Sequence, residues 1–403
     1  MTRPTASDLK ARAFEAVDSL SAEAVAIAKD LHAHPEVGWR TQRSADLLTD
    51  YLEKHGMFVE KAVAELGDVS DVDCSFRASI PGHMDEHVGV ALLAEYDALP
   101  GLGHGCSHNL IGTIAATAGI AVRRALEGSG VSGNVYVMGC PFEEGGGGKI
   151  YMIEAGVFDV ADVSIMWHGS SEVRVGSPNI AASGMTYTFK GKSAHSGANP
   201  HHGINAADAA MLTFAGVNAL RQHVTSDVRI HGIIQDGGAA ANSVPDKAVV
   251  RMMTRASSYK NIERLRDRVH DCARGAALMT GATLEIEEDP VYAERLVIPG
   301  LREVVLDNLG LVGLERPDGD PQTFASADSG NVSQYIPHVT FNLPLDTKGS
   351  VPHTVAFAEA CNTDMAWDAL VTAAKIMAAS AIDLILDPER VSVIKAEHAA
   401  LKG

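Results

Sequence analysis

Between residues 74 and 168 the chain alternates short apolar runs with one long helical stretch, and the later runs lead into side chains that bind metals or move protons. Cys74–Ile80 and Val88–Tyr96 read as strands. The second is nearly all apolar, as strands covered on both faces of a parallel sheet are. A helix is expected from about Asn109 to Glu127, stopped by Gly128-Ser129-Gly130. Strand Val135–Cys140 then runs into Glu143-Glu144, and strand Val163–Trp167 into His168. Such alternation implies an α/β sheet, which places its sites beyond the carboxyl ends of the strands. Cys106/His108, Glu143/Glu144 and His168 each lie just after a strand. Upstream, the pattern predicts helices over about Ser7–Ala33 and Thr41–His55.

Around residue 178 the pattern changes. Met185–Lys190, Val228–Ile234, Ala248–Thr254 and Thr283–Glu287 read as strands, with helices over Gly203–Val224 and about Tyr259–Met279. That β-α-β-β-α-β order is that of a compact α+β, ferredoxin-like domain. It spans 179–289 and is inserted into an outer domain made of 1–178 and 290–403, whose last long helix is expected from about Thr354 to Leu386. Two domains also suit a chain of 403 residues.

Charge and composition remove several classes of function. A net charge of −18 argues against nucleic acid and anionic membranes as partners. No run reaches 18 uninterrupted apolar residues, so no membrane span is expected, and the charged start MTRPTASDLK lacks the apolar core of a signal peptide. Five cysteines at irregular spacings fit a reducing, cytoplasmic setting better than a disulfide framework.

The chemistry concentrates in Cys106-Ser-His108 and Glu143-Glu144. Cys106 and His108 are borderline-to-soft ligands and Glu144 a hard one, a mixture that suits zinc, manganese or another transition metal. Glu143 is then the spare carboxylate that a metal-activated water needs as general base. Each residue alone has an ordinary explanation: a buried thiol, a satisfied histidine, a solvated acidic turn. Paired acids running into Gly145-Gly-Gly-Gly148, downstream of a Gly-rich Cys-x-His loop, make a poor solvated surface and a good close-packed site. The glycine run is no phosphate loop, since it lacks the Gly-Lys-Ser/Thr ending and follows acids. Arg255, at a strand end, can bind a substrate carboxylate or simply pair at the surface.

In order and spacing, His32-Ala-His-Pro-Glu36, Asp97-Ala-Leu-Pro100, Gly105-Cys-Ser-His-Asn109, Pro141-Phe-Glu-Glu-Gly145, Trp167-His168, Gly191-Lys-Ser-Ala-His195, Asn242-Ser-Val-Pro245 and Pro352-His353 together carry a family resemblance. The chain resembles the M20 metallopeptidases and aminoacylases, in particular the amidohydrolase branch of aminobenzoyl-glutamate hydrolases and aminoacylase-1-like proteins. The resemblance implies a mixed-sheet metallohydrolase domain with an inserted lid and dimerisation domain. It implies Cys106, His108, Glu144, His168 and His353 as metal ligands, Glu143 as base and Asp97 as the acid that orients a ligand. It further implies His195 as the donor to the oxyanion and Asn242 as a substrate contact. One or two divalent ions per subunit (Mn or Zn) and a homodimer or higher homo-oligomer follow from the same resemblance. Two positions depart from it. Glu95 stands where a distant relative places a ligand histidine, and Asn109 replaces an aspartate, which removes a potential carboxylate. Asp328-Ser-Gly-Asn-Val-Ser333 resembles a loop near the substrate end, with no role assigned.

The expectation is a metal-dependent hydrolase of C–N bonds acting on small N-acyl or aminobenzoyl amino acids or dipeptides. Two alternatives are hydrolytic deamination of an aromatic amine of the aminobenzoate type and a non-catalytic metal-binding relative.

Overall fold

The computed structural model describes residues 4–80, 87–319 and 325–402. The chain divides into two compact units. The first takes the described residues up to Pro178, those from Arg295 to 319, and those from Ala327 onward; the second takes Asn179–Glu294 with Ala325 and Ser326. In chain order the strands are β1 (Phe58–Lys61), β2 (Phe76–Ser79), β3 (Gly89–Glu95), β4 (Asn134–Cys140), β5 (Val163–Ser170) and β6 (Arg174–Val175) in the first unit. β7 (Ala181–Lys190), β8 (Arg229–Asp236), β9 (Lys247–Ala256) and β10 (Thr283–Glu288) form the second, and β11 (His338–Pro344) returns to the first.

The first unit's sheet runs β1-β2-β4-β3-β5-β11-β6. Its centre, β4-β3-β5-β11, is parallel, and the flanking pairings are antiparallel. Every residue of β3 and β4 is buried. Three helices build much of the surrounding core. Ala6–Ala33 starts in a reciprocal cap between Thr5 and Asp8, His108–Leu126 is buried except at Arg123 and Arg124, and Asp364–Leu386 packs on both. The last is long and apolar enough to cross a membrane, yet 72% of its most apolar window is buried inside the protein.

The sequence suggests a single helix from Thr354 to Leu386, but the chain forms two, Val355–Ala360 and Asp364–Leu386. The break has a local cause. Thr363 takes an extended backbone and its hydroxyl accepts from the Ala366 N–H at 3.3 Å, so the second helix begins with its own cap.

The second unit is a four-stranded antiparallel sheet in the order β10-β7-β9-β8, with helices Ala206–Leu220 and Tyr259–Thr280 as its crossovers. Numbered within the unit this is 4-1-3-2, the ferredoxin-like arrangement. Met185, Tyr187, Phe189, Val250 and Met252 pack with Ala209, Val217, Leu265 and Val269 of the helices. β9 accordingly alternates in burial along its length, while the edge strand β8 is exposed at all but Ile230.

A candidate metal centre at the strand ends

The loop after β3 brings up the first side chains. Ser107 adopts φ +64°, a left-handed conformation that few non-glycine residues take, and it precedes the helix that opens on His108. Its hydroxyl accepts from the Gly169 N–H at 3.0 Å, tying this loop to the end of β5. Two more left-handed non-glycine residues flank the centre: Phe142, before the paired acids, and His353, whose N–H donates to the Gly105 carbonyl at 2.9 Å. Strained backbone at three loops around one point is typical of functional sites.

Asp97 organises the interior of the cluster. One of its oxygens accepts from His108 Nδ1 at 3.2 Å and from the Glu143 N–H at 3.1 Å, and the other accepts from the Glu144 N–H at 3.0 Å. Since a carboxylate accepts, His108 carries its proton on Nδ1 and turns the Nε2 lone pair inward. His168 is set in the same way, its Nδ1 donating to the Gly169 carbonyl at 2.9 Å while Nε2 lies 3.4 Å from Cys106 Sγ. Both imidazoles thus hold the tautomer in which Nε2 can bind a cation.

The paired acids depend on their glycines. A Cβ at Gly148 would lie 1.8 Å from the Pro141 carbonyl oxygen, so only glycine lets the chain fold back this tightly before the helix Gly148–Glu154. Glu143 Oε2 and Glu144 Oε1 come to 3.8 and 3.9 Å from His108 Nε2, and Glu144 Oε2 to 3.4 Å from His353 Nε2. Potential ligand atoms lie within 4.8 Å of one another in three sets: Cys106, His108 and His168; Cys106, Glu144 and His353; and His108, Glu143 and Glu144.

These residues fit a divalent cation. Among the described residues, His108 Nε2 and Glu144 Oε1 are buried without a hydrogen-bond partner, an arrangement that is costly unless an ion answers them. The two carboxylates also sit in different surroundings. Burial, then the charge of Glu144, pushes Glu143 well above the ordinary carboxylate range. Burial acts on Glu144 in the same sense, but His353 and His108 outweigh it and hold Glu144 below that range. Burial and the Glu144 charge push the Cys106 thiol far up, which a coordinating metal would reverse by stabilising the thiolate.

His195, Asn242 and Arg255 belong to the second unit. His195 is exposed, and its Nδ1 accepts from the N–H groups of Gly197 and Ala198 at 3.2 and 3.1 Å, so its proton sits on Nε2 as an available donor. Asn242 is exposed, and its carbonyl accepts from the Ser196 N–H at 3.1 Å. Arg255 is half-buried and donates to Ser326 Oγ at 2.9 Å, and burial lowers its pKa. Asn109 does not join the ion cluster; its amide donates to the carbonyls of Ala28 and Cys361 and so braces three helices.

Three charged residues near the centre are either unmarked in the sequence or given no role by it. Lys149 is fully buried and donates to Asp328. Asp328 is equally buried, and Arg295 donates to Ser177 and Ser329 from the interior. The one available signal is a lone lysine between four glycines and the apolar run Ile150–Ile153.

Comparison with known proteins gives this geometry a context. Residues 181–278 match a family model described as a peptidase dimerisation domain. The chain is 33% identical to the human Xaa-Arg dipeptidase over 96% of its own length and 91% of that protein. It is 30% identical to one of the subunits of the p-aminobenzoyl-glutamate hydrolase of Escherichia coli, over 92% and 91%. Among solved structures, a dinuclear metal-binding M20 peptidase from Bacillus subtilis shares the fold at TM-score 0.65 and 18% identity, covering 92% of this chain and 99% of that one.

Proposed function

Because the chain belongs to the M20 family of metal-dependent peptidases and amidohydrolases, whose characteristic reaction is amide-bond hydrolysis, we propose that it cleaves the amide of dipeptides and small N-acyl amino acids with Glu143 as general base. One observation carries the reading. Asp97 accepts from the N–H groups of both Glu143 and Glu144 and so sets the two carboxylates at 3.8 and 3.9 Å from His108 Nε2, room for one to hold the ion and the other to take a proton. Cys106, His108, Glu144, His168 and His353 hold the divalent ion in this proposal. When bound, the ion supplies Lewis-acid polarisation of the amide carbonyl and acidifies the attacking water. Glu143 takes the water proton and delivers it to the leaving nitrogen. Asp97 keeps His108 in its ligating tautomer and fixes the backbone of both acids. His195 Nε2–H is assigned to the oxyanion, Arg255 to the substrate carboxylate and Asn242 to a further substrate contact. Self-association is assigned to the second unit, through the exposed edge β8.

The substrates follow the named activities of the relatives, with the net charge of −18 favouring approach of a cationic dipeptide over an anionic glutamate amide. The test is a panel of Xaa-Arg dipeptides, aminobenzoyl-glutamate and N-acyl amino acids, run with Mn²⁺ and with Zn²⁺. Glu143→Gln should retain the metal and lose about 10²–10⁴ in kcat, the scale of general acid–base catalysis. Near-normal turnover in that variant would remove Glu143 from the reaction. Ammonia released from an aminobenzoate, with no amide cleaved, would replace the amidase reading by deamination.

A further inference from the structure

Next to His108 a second set of charges is closed off from solvent. Lys149 Nζ lies 2.6 Å from Glu95 Oε1 and donates to Asp328 Oδ1 at 2.6 Å, while the Lys149 N–H donates to Asp328 Oδ2 at 3.0 Å. Lys149 and Asp328 are 0% exposed and Glu95 is 1% exposed. The buried Arg295 guanidinium also acts on Glu95 and Asp328, so the two carboxylates face two cations, Lys149 and Arg295, and none of the four is open to solvent. The two acids are not equivalent. Both oxygens of Asp328 are engaged by Lys149. Glu95 gives only one oxygen to Lys149, and its other, Oε2, lies 3.4 Å from His108 Nε2, the nitrogen that Asp97 leaves free.

We propose that Glu95 sets how tightly the divalent ion is held: Lys149, itself held by Asp328, takes one oxygen of the Glu95 carboxylate and so turns the other, Oε2, toward the cation beside His108 Nε2. The inference rests on the metal centre proposed above and goes beyond it by assigning Glu95, Lys149 and Asp328 to it. It explains why a lysine is buried at the point where the glycine turn meets the helix. Without Lys149 to hold it back, Glu95 would collapse onto the ion or take the proton of His108.

The test compares two variants that strip the same charge from opposite sides of Lys149, Glu95→Gln and Asp328→Asn, in the full chain. Each leaves Lys149 with one partner, so each should fold. Mn²⁺ and Zn²⁺ are titrated against a chelator, and thermal unfolding is followed with and without the ion. Glu95→Gln is expected to weaken ion binding by about 10–100-fold, the cost of losing a group that supports a ligand, and Asp328→Asn by a smaller factor, because Asp328 acts on Glu95 only through Lys149. Equal losses in the two variants, or wild-type affinity in Glu95→Gln, overturn the proposal. Should Glu95→Gln fail to fold, Lys149→Met decides. With its counter-charge gone, Glu95 should make the ion raise the melting temperature more than in the wild type, and an equal or smaller rise overturns the proposal. Wild-type protein that binds neither ion would instead overturn the metal centre itself.

Discussion

The two units are made of the same materials and bury them differently. In the first, β3 and β4 have no exposed residue, and the polar side chains at their ends are fixed by several bonds each: Asp97 accepts three, and His108 is 1% exposed. In the second, only one face of the sheet is covered, β8 is exposed for almost its whole length, and His195 and Asn242 stand on exposed loops. A sheet buried on both faces can hold carboxylates, a thiol and imidazoles at fixed separations, because nothing near them can move without disturbing the core. A sheet covered on one face offers surface instead, for a partner or a substrate. In the function proposed above, ion binding accordingly falls to the first unit and recognition to the second.

The sharpest way to break that assignment is a pair of cysteine variants. Cys106→Ser, in the first unit, should leave metal retained after dialysis against a weak chelator near background, because a hydroxyl is a poor ligand at neutral pH. Cys272→Ser, in the second, should leave metal content unchanged. Next, His195→Ala should cost about 10²–10³ in kcat, the scale for loss of one oxyanion donor, with metal content intact. If it loses metal, the two units do not divide the work as stated.

Acid should separate the units on a smaller scale. Burial above all, with the charges of His108 and His32, brings His104 down to about 3, and burial carries His338 well below its ordinary value. The unfolded chain takes up protons at these histidines near pH 6.5, and the folded chain does not. Their contribution is therefore fully present above pH 6.5 and is lost as pH falls toward 3, by up to about 1.4 kcal/mol per pH unit per group. Both lie in the first unit, as do Trp39, Trp167 and Trp367, so tryptophan fluorescence reports that unit. It should change at higher pH than the loss of amide-exchange protection in β7 and β9, and His104→Asn should flatten its slope. The smallest effect concerns the exposed Ile233 on β8. Ile233→Lys should alter stability by no more than about 0.5 kcal/mol, as surface substitutions do, yet convert an oligomer to a monomer in light scattering. An unchanged oligomer would move the interface elsewhere.

Much of this was legible in the chain. The apolar runs locate the buried strands to within a few residues. Because a parallel sheet gathers its strand ends, Cys106, His108, Glu143, Glu144 and His168 come together as the alternation implies. What could not be read depends on contacts between distant residues. Lys149 meets Asp328 across 179 positions, and a lysine after a glycine turn looks like any exposed lysine until that partner is in place. β11 and the helix break at Cys361–Thr363 escape notice for a different reason, since His338, Thr340 and Asn342 interrupt the apolar run of the strand and a threonine cap leaves little periodic trace. Asn109 illustrates the converse case: its identity suggests a lost ligand, and the fold uses it to join helices.

The position of β11 also bears on how the protein is made. This strand fills the place between β5 and β6, although it is synthesised after the whole second unit. A growing chain therefore completes the sheet and both helices of the second unit while β5 still waits with an open edge. His353 emerges later still, so the set of ligands proposed above stays incomplete until most of the chain has left the ribosome. Released chains that end just past Glu294 should yield a protease-resistant fragment containing residues 181–288 and a first unit that is still digested, and metal uptake should require the full chain.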